Sequence, residues 1–570
     1  MMMRILAFCA LVGLSGALFA AVPHFAPCSA DVGTLSEGVR LFSDRSFTAC
    51  ALPEALRGKS FFISQIGGGM ELTVKKGGEL TAVTPCEGSF VSQAAELARM
   101  GFQRRRDTAA FQMFGKGGFD RAEIWTKTVK PGERLTFGKW VIVAGFDPKG
   151  HGVLRTETDK RIAVQVAGTG SEPLLRDILF SRPDYFVFAP VAGDHSRSMT
   201  GDLYNDHFQV IWNPSNRLLY AFWTQATREC DIDQHIAFSK SADRGLTWTK
   251  AAVIAGSANK KNPALRASWQ QPMLSKSGRL YCLWNQQTTS RRPHCGQMFG
   301  AWSDDDGEHW SAPLQVVFRQ RMDSDPADPL IPPSWCNWQR PLRLGKDGRF
   351  LVGCSRHGRA PYDSRGGCKI DFMEFANIDD NPEVCDIVLN HYSVNRESLT
   401  VPNMNGWEPA CEEAALVKLP DGRLFALMRS SIGSPVWSQS RDCGVTWTRP
   451  KPLLDADGKP FPHPRSPCPM YDWKGCEAGS GIYFAFIHGT FDYSLKTAYQ
   501  RRGPLYLIAG RFDPDGEQPV RFSKPKLFNS RPDGNSFYTS YTVIDGKGVL
   551  WYPDRKRYLL GKEIGPEWFR

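Results

Sequence analysis

After its first twenty residues the 570-residue chain contains no apolar run approaching the roughly 18 residues needed to cross a bilayer. No helical membrane span is therefore expected. It also lacks any Cys-x-x-Cys spacing, which removes the usual paired-cysteine zinc-binding plans. Nothing calls for a metal or another cofactor. Lysine and arginine never gather into a long run, although together they number 70 against 59 acidic residues, a formal charge of +11. A nucleic-acid-binding arm is not expected. A diffuse positive field suits an anionic small substrate or acidic glycan, because it raises the local concentration of anions.

What the first twenty residues do contain, MMMRILAFCALVGLSGALFA, is one Arg, an apolar core and a small-residue end. That is the pattern of a signal peptide with cleavage near Ala20–Ala21, so a secreted or periplasmic protein is expected. Phe8 before Cys9 argues against a lipoprotein anchor. Export permits disulfides among the remaining cysteines, but their number does not fix a pairing.

One pattern occurs three times: SADRGLTW (241–248), SDDDGEHW (303–310) and SRDCGVTW (440–447). Each reads Ser-x-Asp-x-Gly-x-x-Trp. Asp can accept backbone N–H bonds in a tight turn, Gly permits positive φ, and Trp can fill a gap between sheets. A second marker is a turn feeding an alternating strand, as in PSNRLLYAFW, KSGRLYCLW, KDGRFLVGC and PDGRLFALM. Its turn residues are Asn216, Gly278, Gly348, Gly422, Gly481 and Gly546, spaced by 62, 70, 74, 59 and 65. Six units of several short strands each predict an all-β protein, a six-bladed β-propeller over residues 169–570. Residues 21–168 lack the Ser-Asp-Gly-Trp turn and read as a small, mostly-β N-terminal accessory domain, with the boundary near QVAGTGSEP (165–173).

In a propeller the innermost strand of each blade faces the axis. Just before the turn residue, the units offer His207, Gln270, Arg340, the pair Glu412 and Glu413, and Tyr538. Convergent polar side chains of this kind mark a site rather than a core. The strand after PDG ends on Arg429, where another apolar residue would be the plain choice.

The SxDxGxTW turn is the Asp-box of the sialidase superfamily, which the chain resembles over roughly residues 170–570. The box is structural and carries no chemistry. Family members place a Glu sixteen residues before an Arg across an LPDGRL-like strand, and Glu413 and Arg429 stand sixteen apart around LVKLPDGRLFALM. The resemblance implies that Arg429 grips a substrate carboxylate as a planar fork. It implies that Tyr538, in YTSYTVIDG, is the nucleophile and Glu413 its activating base. Tyr541 is the rival in the same strand. The general acid falls in TRECDIDQH, where Glu229, Asp231 and Asp233 are available and Asp231 is preferred on register. The first-blade (F/Y)RIP motif is missing, and His207 stands at its Arg position. Arg502, in RRGPLYLIAG, resembles a further clamp residue, and Arg340 is a substitute from another blade.

The implied function is an exported exo-glycosidase releasing a terminal, acidic, sialic-acid-like sugar from a glycan or oligosaccharide. Two alternatives stay open: a rhamnose/glucuronate-directed lyase or glycosidase on the same fold, with His207 as base, and a non-catalytic glycan-binding propeller.

Overall fold

The structure is a computed structural model. It describes residues 21–570 except 27–29, 43–44, 46, 68–69, 115–120, 149–155, 168–171, 191–200, 259–264, 288–294, 317–320, 322–324, 327, 329, 358–366, 393–397, 403–408, 476–478, 496, 498 and 530–536. The expected signal segment, 1–20, and Cys9, Cys28 and Cys476 lie outside the described residues. The chain divides into two compact units, residues 1–160 and 161–570.

In the first unit a six-stranded sheet is centred on Gly78–Pro85 and Ala122–Val129, and a separate three-stranded sheet is centred on Met70–Lys76. Alternation along Gly78–Pro85 gives the larger sheet two apolar faces. Leu80, Ala82 and Val143 pack with Leu72, Val74 and Phe137 of the smaller sheet. Val83, Ile124 and Ile142 pack on the opposite face with Phe61 and Phe114.

The second unit is a six-bladed β-propeller of antiparallel sheets. Blade one runs Tyr204–Asn213, Leu218–Ala226, His235–Ser241 and Ala252–Ala255, and every later blade repeats its meander. The last blade is shared between the ends of the unit. Tyr185–Phe188 pairs antiparallel with the final strand Tyr558–Glu563, beside Lys547–Asp554 and Ser540–Ile544. The shared blade fastens the two ends of the unit together, which resists fraying.

The three Asp-boxes connect third and fourth strands. In the first, Ser241 Oγ donates to Asp243 Oδ1 (2.8 Å), and Gly245 N–H donates to Ser241 Oγ (2.9 Å). Asp243 Oδ1 also accepts from Thr247 N–H (2.8 Å). The Trp of each box packs on the preceding blade: Trp248 on Trp551, Trp310 on Phe238 and Phe222, and Trp447 stacked on Phe372 at 4.1 Å. Gly245 has φ +90°, and a Cβ there would come within 2.6 Å of the Trp551 ring. Glycine is required both by conformation and by the neighbouring blade.

Among the described residues, the buried thiols of Cys282, Cys336, Cys354, Cys368, Cys411 and Cys468 form no disulfide and pack in the core.

Candidate active site

Three first strands share one irregularity. The ladder between first and second strands slips at Asp206/Gln209, Ser268/Gln271 and Glu412/Ala415. At each slip one non-glycine residue takes positive φ: His207 (55°), Trp269 (55°) and Glu413 (56°). A bulge of this kind bends its strand and re-aims the side chain, at a local cost. All three bulges lie at the strand end opposite the Asp-boxes.

Blade three supplies the polar partners that hold the Glu413 bulge. Its N–H donates to Ser355 Oγ (2.7 Å), and its carbonyl accepts from Trp338 Nε1 (3.0 Å). The side chain then reaches Tyr538, just before the first strand of blade six. Tyr538 donates its hydroxyl hydrogen to Glu413 Oε1 at 2.7 Å. Arg429 Nη1 donates to Glu413 Oε2 at 2.8 Å and to the Tyr538 oxygen at 3.2 Å. The phenol ring lies 4.4 Å from the His207 ring and 5.8 Å from that of Trp338. Burial raises the Tyr538 pKa well above that of a free phenol, and the Glu413 carboxylate adds to the effect. The resting group is a neutral hydroxyl.

Beside this pair sits a buried ionic cluster. Glu412 is the ladder partner of Arg429, and its Oε1 lies 3.0 Å from Arg429 Nε and 2.6 Å from Arg465 Nε. Burial opposes ionisation of Glu412, but the two guanidiniums win and hold its carboxyl below the usual range. Arg502 donates to the Arg465 carbonyl (3.0 Å), and burial and the charge of Arg429 lower its pKa.

Blade one and the last hairpin of blade six form the opposite wall. Lys556, in left-handed conformation at φ 56°, places Nζ 3.0 Å from Asp206 Oδ2 and 2.9 Å from Glu229 Oε1. Its ammonium lies 5.3 Å from the Tyr538 ring centre. Asp206 is fully buried. That burial pushes its carboxyl up to about 6 against the pull of Lys556. Among the described residues its Oδ1 has no hydrogen-bond partner, nor has Nδ1 of the adjacent His207. Burial lowers the His207 imidazole to about 3, so the ring is neutral at physiological pH.

A BNR repeat-like domain model matches residues 217–467. No curated protein matches the chain in sequence. Among solved structures, the NanB sialidase from Streptococcus pneumoniae superposes with a TM-score of 0.50 at 11% identity, covering 95% of this chain and 94% of that one. The leech intramolecular trans-sialidase gives 0.49 at 11% identity, covering 96% and 93%. The second unit has the fold of the sialidase propellers, and the BNR repeat-like match lies within it.

The propeller brings Tyr538, Glu413, Arg429, Arg502 and His207 to one end of its axis. It does not bring Gln270, Arg340 or Asp231 there in the expected way. His207 and Glu413 stand nine residues before turn residues Asn216 and Gly422, whereas Gln270 and Arg340 stand eight before Gly278 and Gly348. A one-residue offset reverses the face a strand residue points to. Gln270 is accordingly a strut between blades, accepting from Thr224 Oγ1 (2.9 Å) and donating to the carbonyls of His207 and Phe222. Arg340 instead lines a cavity of about 850 Å³ at the Asp-box end, and its guanidinium donates to the Val210 carbonyl (3.3 Å). Gln209 crosses from blade one to blade three between the two ends, donating to the Trp338 carbonyl and accepting from Arg340 N–H.

Asp231 turns its carboxylate to Arg228 Nε (3.1 Å) and the Ile232 N–H (2.8 Å). Asp233 is bound to Thr227 N–H and Oγ1. Of the three acids in that loop, Glu229 is the one paired with Lys556, on the wall facing Tyr538. Tyr541 donates to the Trp473 carbonyl (2.6 Å) and packs on Tyr471 and Phe484 as a core residue.

Asp206, Arg465 and Lys556 went unrecognised in the sequence. Asp206 directly precedes His207 in YNDHF, and Arg465 lies in HPRSPCP, ahead of the first strand of blade five. Nothing local distinguishes Lys556.

Nδ1 of His357, Sγ of Cys368 and a Glu412 oxygen lie within 4.8 Å of one another. Glu412 is already clasped by two guanidiniums, and Cys368 Sγ lies 3.1 Å from His357 Nδ1. The set therefore works as a hydrogen-bonded network behind Arg429.

Proposed function

We propose that the chain is an exported, retaining exo-glycosidase that releases a terminal acidic sugar of the sialic-acid type from a glycan. The observation that carries this reading is the 2.7 Å hydrogen bond from Tyr538 to Glu413 beneath Arg429. A glycan binder has no use for a neutral phenol poised on a carboxylate.

In this reaction Tyr538 Oη attacks the anomeric carbon while its proton passes to Glu413. A neutral nucleophile avoids repulsion from a carboxylate on that carbon. Asp206 donates its proton to the departing glycosidic oxygen as the sugar–oxygen bond breaks. A buried carboxyl pushed up to about 6 suits that role. Water then attacks the sugar–tyrosine bond with Asp206 as base, and Glu413 returns the proton to Tyr538. Arg429, Arg465 and Arg502 gather beside Glu412 and Glu413, and their guanidiniums suit a substrate carboxylate.

A second reading is elimination at a uronate, with His207 as the base. It draws on one observation, the buried, neutral His207 ring whose Nδ1 has no partner. Product analysis on an acidic-sugar glycoside and a uronate-terminated oligosaccharide decides between them. Hydrolysis with retained anomeric configuration, abolished by Tyr538→Phe, supports the first. An ultraviolet-absorbing unsaturated uronate supports the second.

A further inference from the structure

The cavity of about 850 Å³ at the Asp-box end of the axis takes no part in the reaction above. Gln209, bridging blades one and three, stands between it and the Tyr538 end. The described carboxylates that line it are engaged. Asp304 accepts two hydrogen bonds from the Arg279 guanidinium, at 2.8 and 2.7 Å. Asp306 accepts from the Tyr220 hydroxyl and from Asn216 Nδ2, and Asp472 from the N–H groups of Lys474 and Ser480.

The donors that line it are less fully used. Arg343 is matched by Asp379, with both terminal nitrogens at 2.9 Å from the carboxylate. Lys418 is not: its Nζ donates to the Leu344 carbonyl (3.2 Å), and no carboxylate pairs with it among the described residues. Gln339 is only 9% exposed. Its Oε1 accepts from Leu416 N–H (2.7 Å), while its Nε2 donates to no described residue. That bond sets the Gln339 amide beside the strand carrying Lys418, whose side chain shares a strand face with Leu416. Arg340, the next residue, sends its guanidinium to the Val210 carbonyl of blade one (3.3 Å). A guanidinium, an ammonium and an amide from adjacent blades three and four thus line one cavity. Two positive charges raise the concentration of anions there, and such N–H groups match an oxyanion.

We propose that this cavity is a second binding site, in which Arg340, Lys418 and the Gln339 amide hold the oxyanion of a small acidic molecule, a carboxylate or a phosphate group. Its volume is that of a small-molecule site. The assignment does not depend on the glycosidase reading, because none of its three donors touches Tyr538, Glu413 or Arg429.

The test is isothermal titration of the full chain with inorganic phosphate and, separately, with citrate. Wild type should bind at least one of them. Arg340→Gln and Lys418→Gln should each weaken that binding roughly tenfold, and Arg429→Lys, at the other end of the axis, should leave it unchanged. Tighter binding of phosphate supports the site and assigns it a phosphorylated ligand; tighter binding of citrate supports it and assigns a carboxylated one. Lys418→Gln breaks no described ion pair, so it keeps the test decisive should Arg340→Gln fail to fold. No binding by the wild type, undiminished binding by the folded variants, or loss of binding in Arg429→Lys overturns the site. Neither probe is a glycoside, so the outcome is independent of turnover.

Discussion

Tyr538 and Glu413 lie 125 residues apart in sequence, on blades six and four, and meet in a 2.7 Å hydrogen bond. The phenol is buried and holds its proton, so it becomes a useful nucleophile only as Glu413 takes that proton. Tyr538→Phe should lower kcat by about 10²–10⁴-fold, and Glu413→Gln should do nearly as much. The double variant should be little worse than either, because the two act as one unit. Steady-state rates on an acidic aryl glycoside, with circular dichroism to verify folding, provide the measurement. Near-normal turnover by Tyr538→Phe would end the proposal.

Arg429 is tied to both adjacent carboxylates, Glu412 and Glu413, within a buried cluster. Removing the guanidinium leaves those charges poorly compensated. Arg429→Ala should therefore cost about 3–5 kcal/mol of stability, read as a fall in the chemical-denaturation midpoint. Arg429→Lys should retain more stability and still raise KM, because an ammonium cannot replace a planar fork. An unchanged KM would remove carboxylated sugars from consideration.

How much of this was legible depends on how local each signal is. The Asp-box shows itself because its Ser, Asp, Gly and Trp bond and pack within eight residues. The Glu413–Arg429 pair shows itself because one hairpin sets its spacing. Gln270 and Arg340 mislead because a single offset at the bulge level reverses the side-chain direction. Asp206 stays hidden because its character comes from burial and from Lys556, 350 residues later. Arg465 stays hidden because its segment is flanked by prolines and has no strand pattern.

Asp243 tests whether the Asp-boxes are purely structural. Its carboxylate accepts from Ser241 Oγ, Thr247 N–H and Thr247 Oγ1, far along the strand from Tyr538. Asp243→Ala should cost about 1–3 kcal/mol for the unsatisfied turn groups and leave kcat and KM unchanged once folded. Gly245→Ala should be worse, since it adds positive-φ strain and a clash with the Trp551 ring. A selective loss of turnover in Asp243→Ala would show that the rim communicates with the site.

The acid step makes the sharpest claim about pH. Asp206 titrates at about 6 in the folded chain, against an ordinary value of 3.8, because burial outweighs the attraction of Lys556. Its protonated form, the one able to donate to a leaving group, is therefore abundant below about 6 and scarce above it. The kcat/KM profile should fall on the alkaline side with an apparent pKa near 6, and Asp206→Asn should abolish that limb together with most activity on poor leaving groups. Substrates with strongly acidic leaving groups, such as nitrophenols, should be spared because they depart without a proton. Stability follows the same sign. A folded pKa above the unfolded one gives a contribution fully present below about 3.8 and lost as pH rises through about 6. Denaturation midpoints of wild type and Asp206→Asn, measured from pH 4 to 7, should therefore shift in the asparagine variant's favour as pH rises. If the alkaline limb survives in Asp206→Asn, the proton comes from elsewhere, and Glu229, on the other side of Lys556, is the next carboxyl to change.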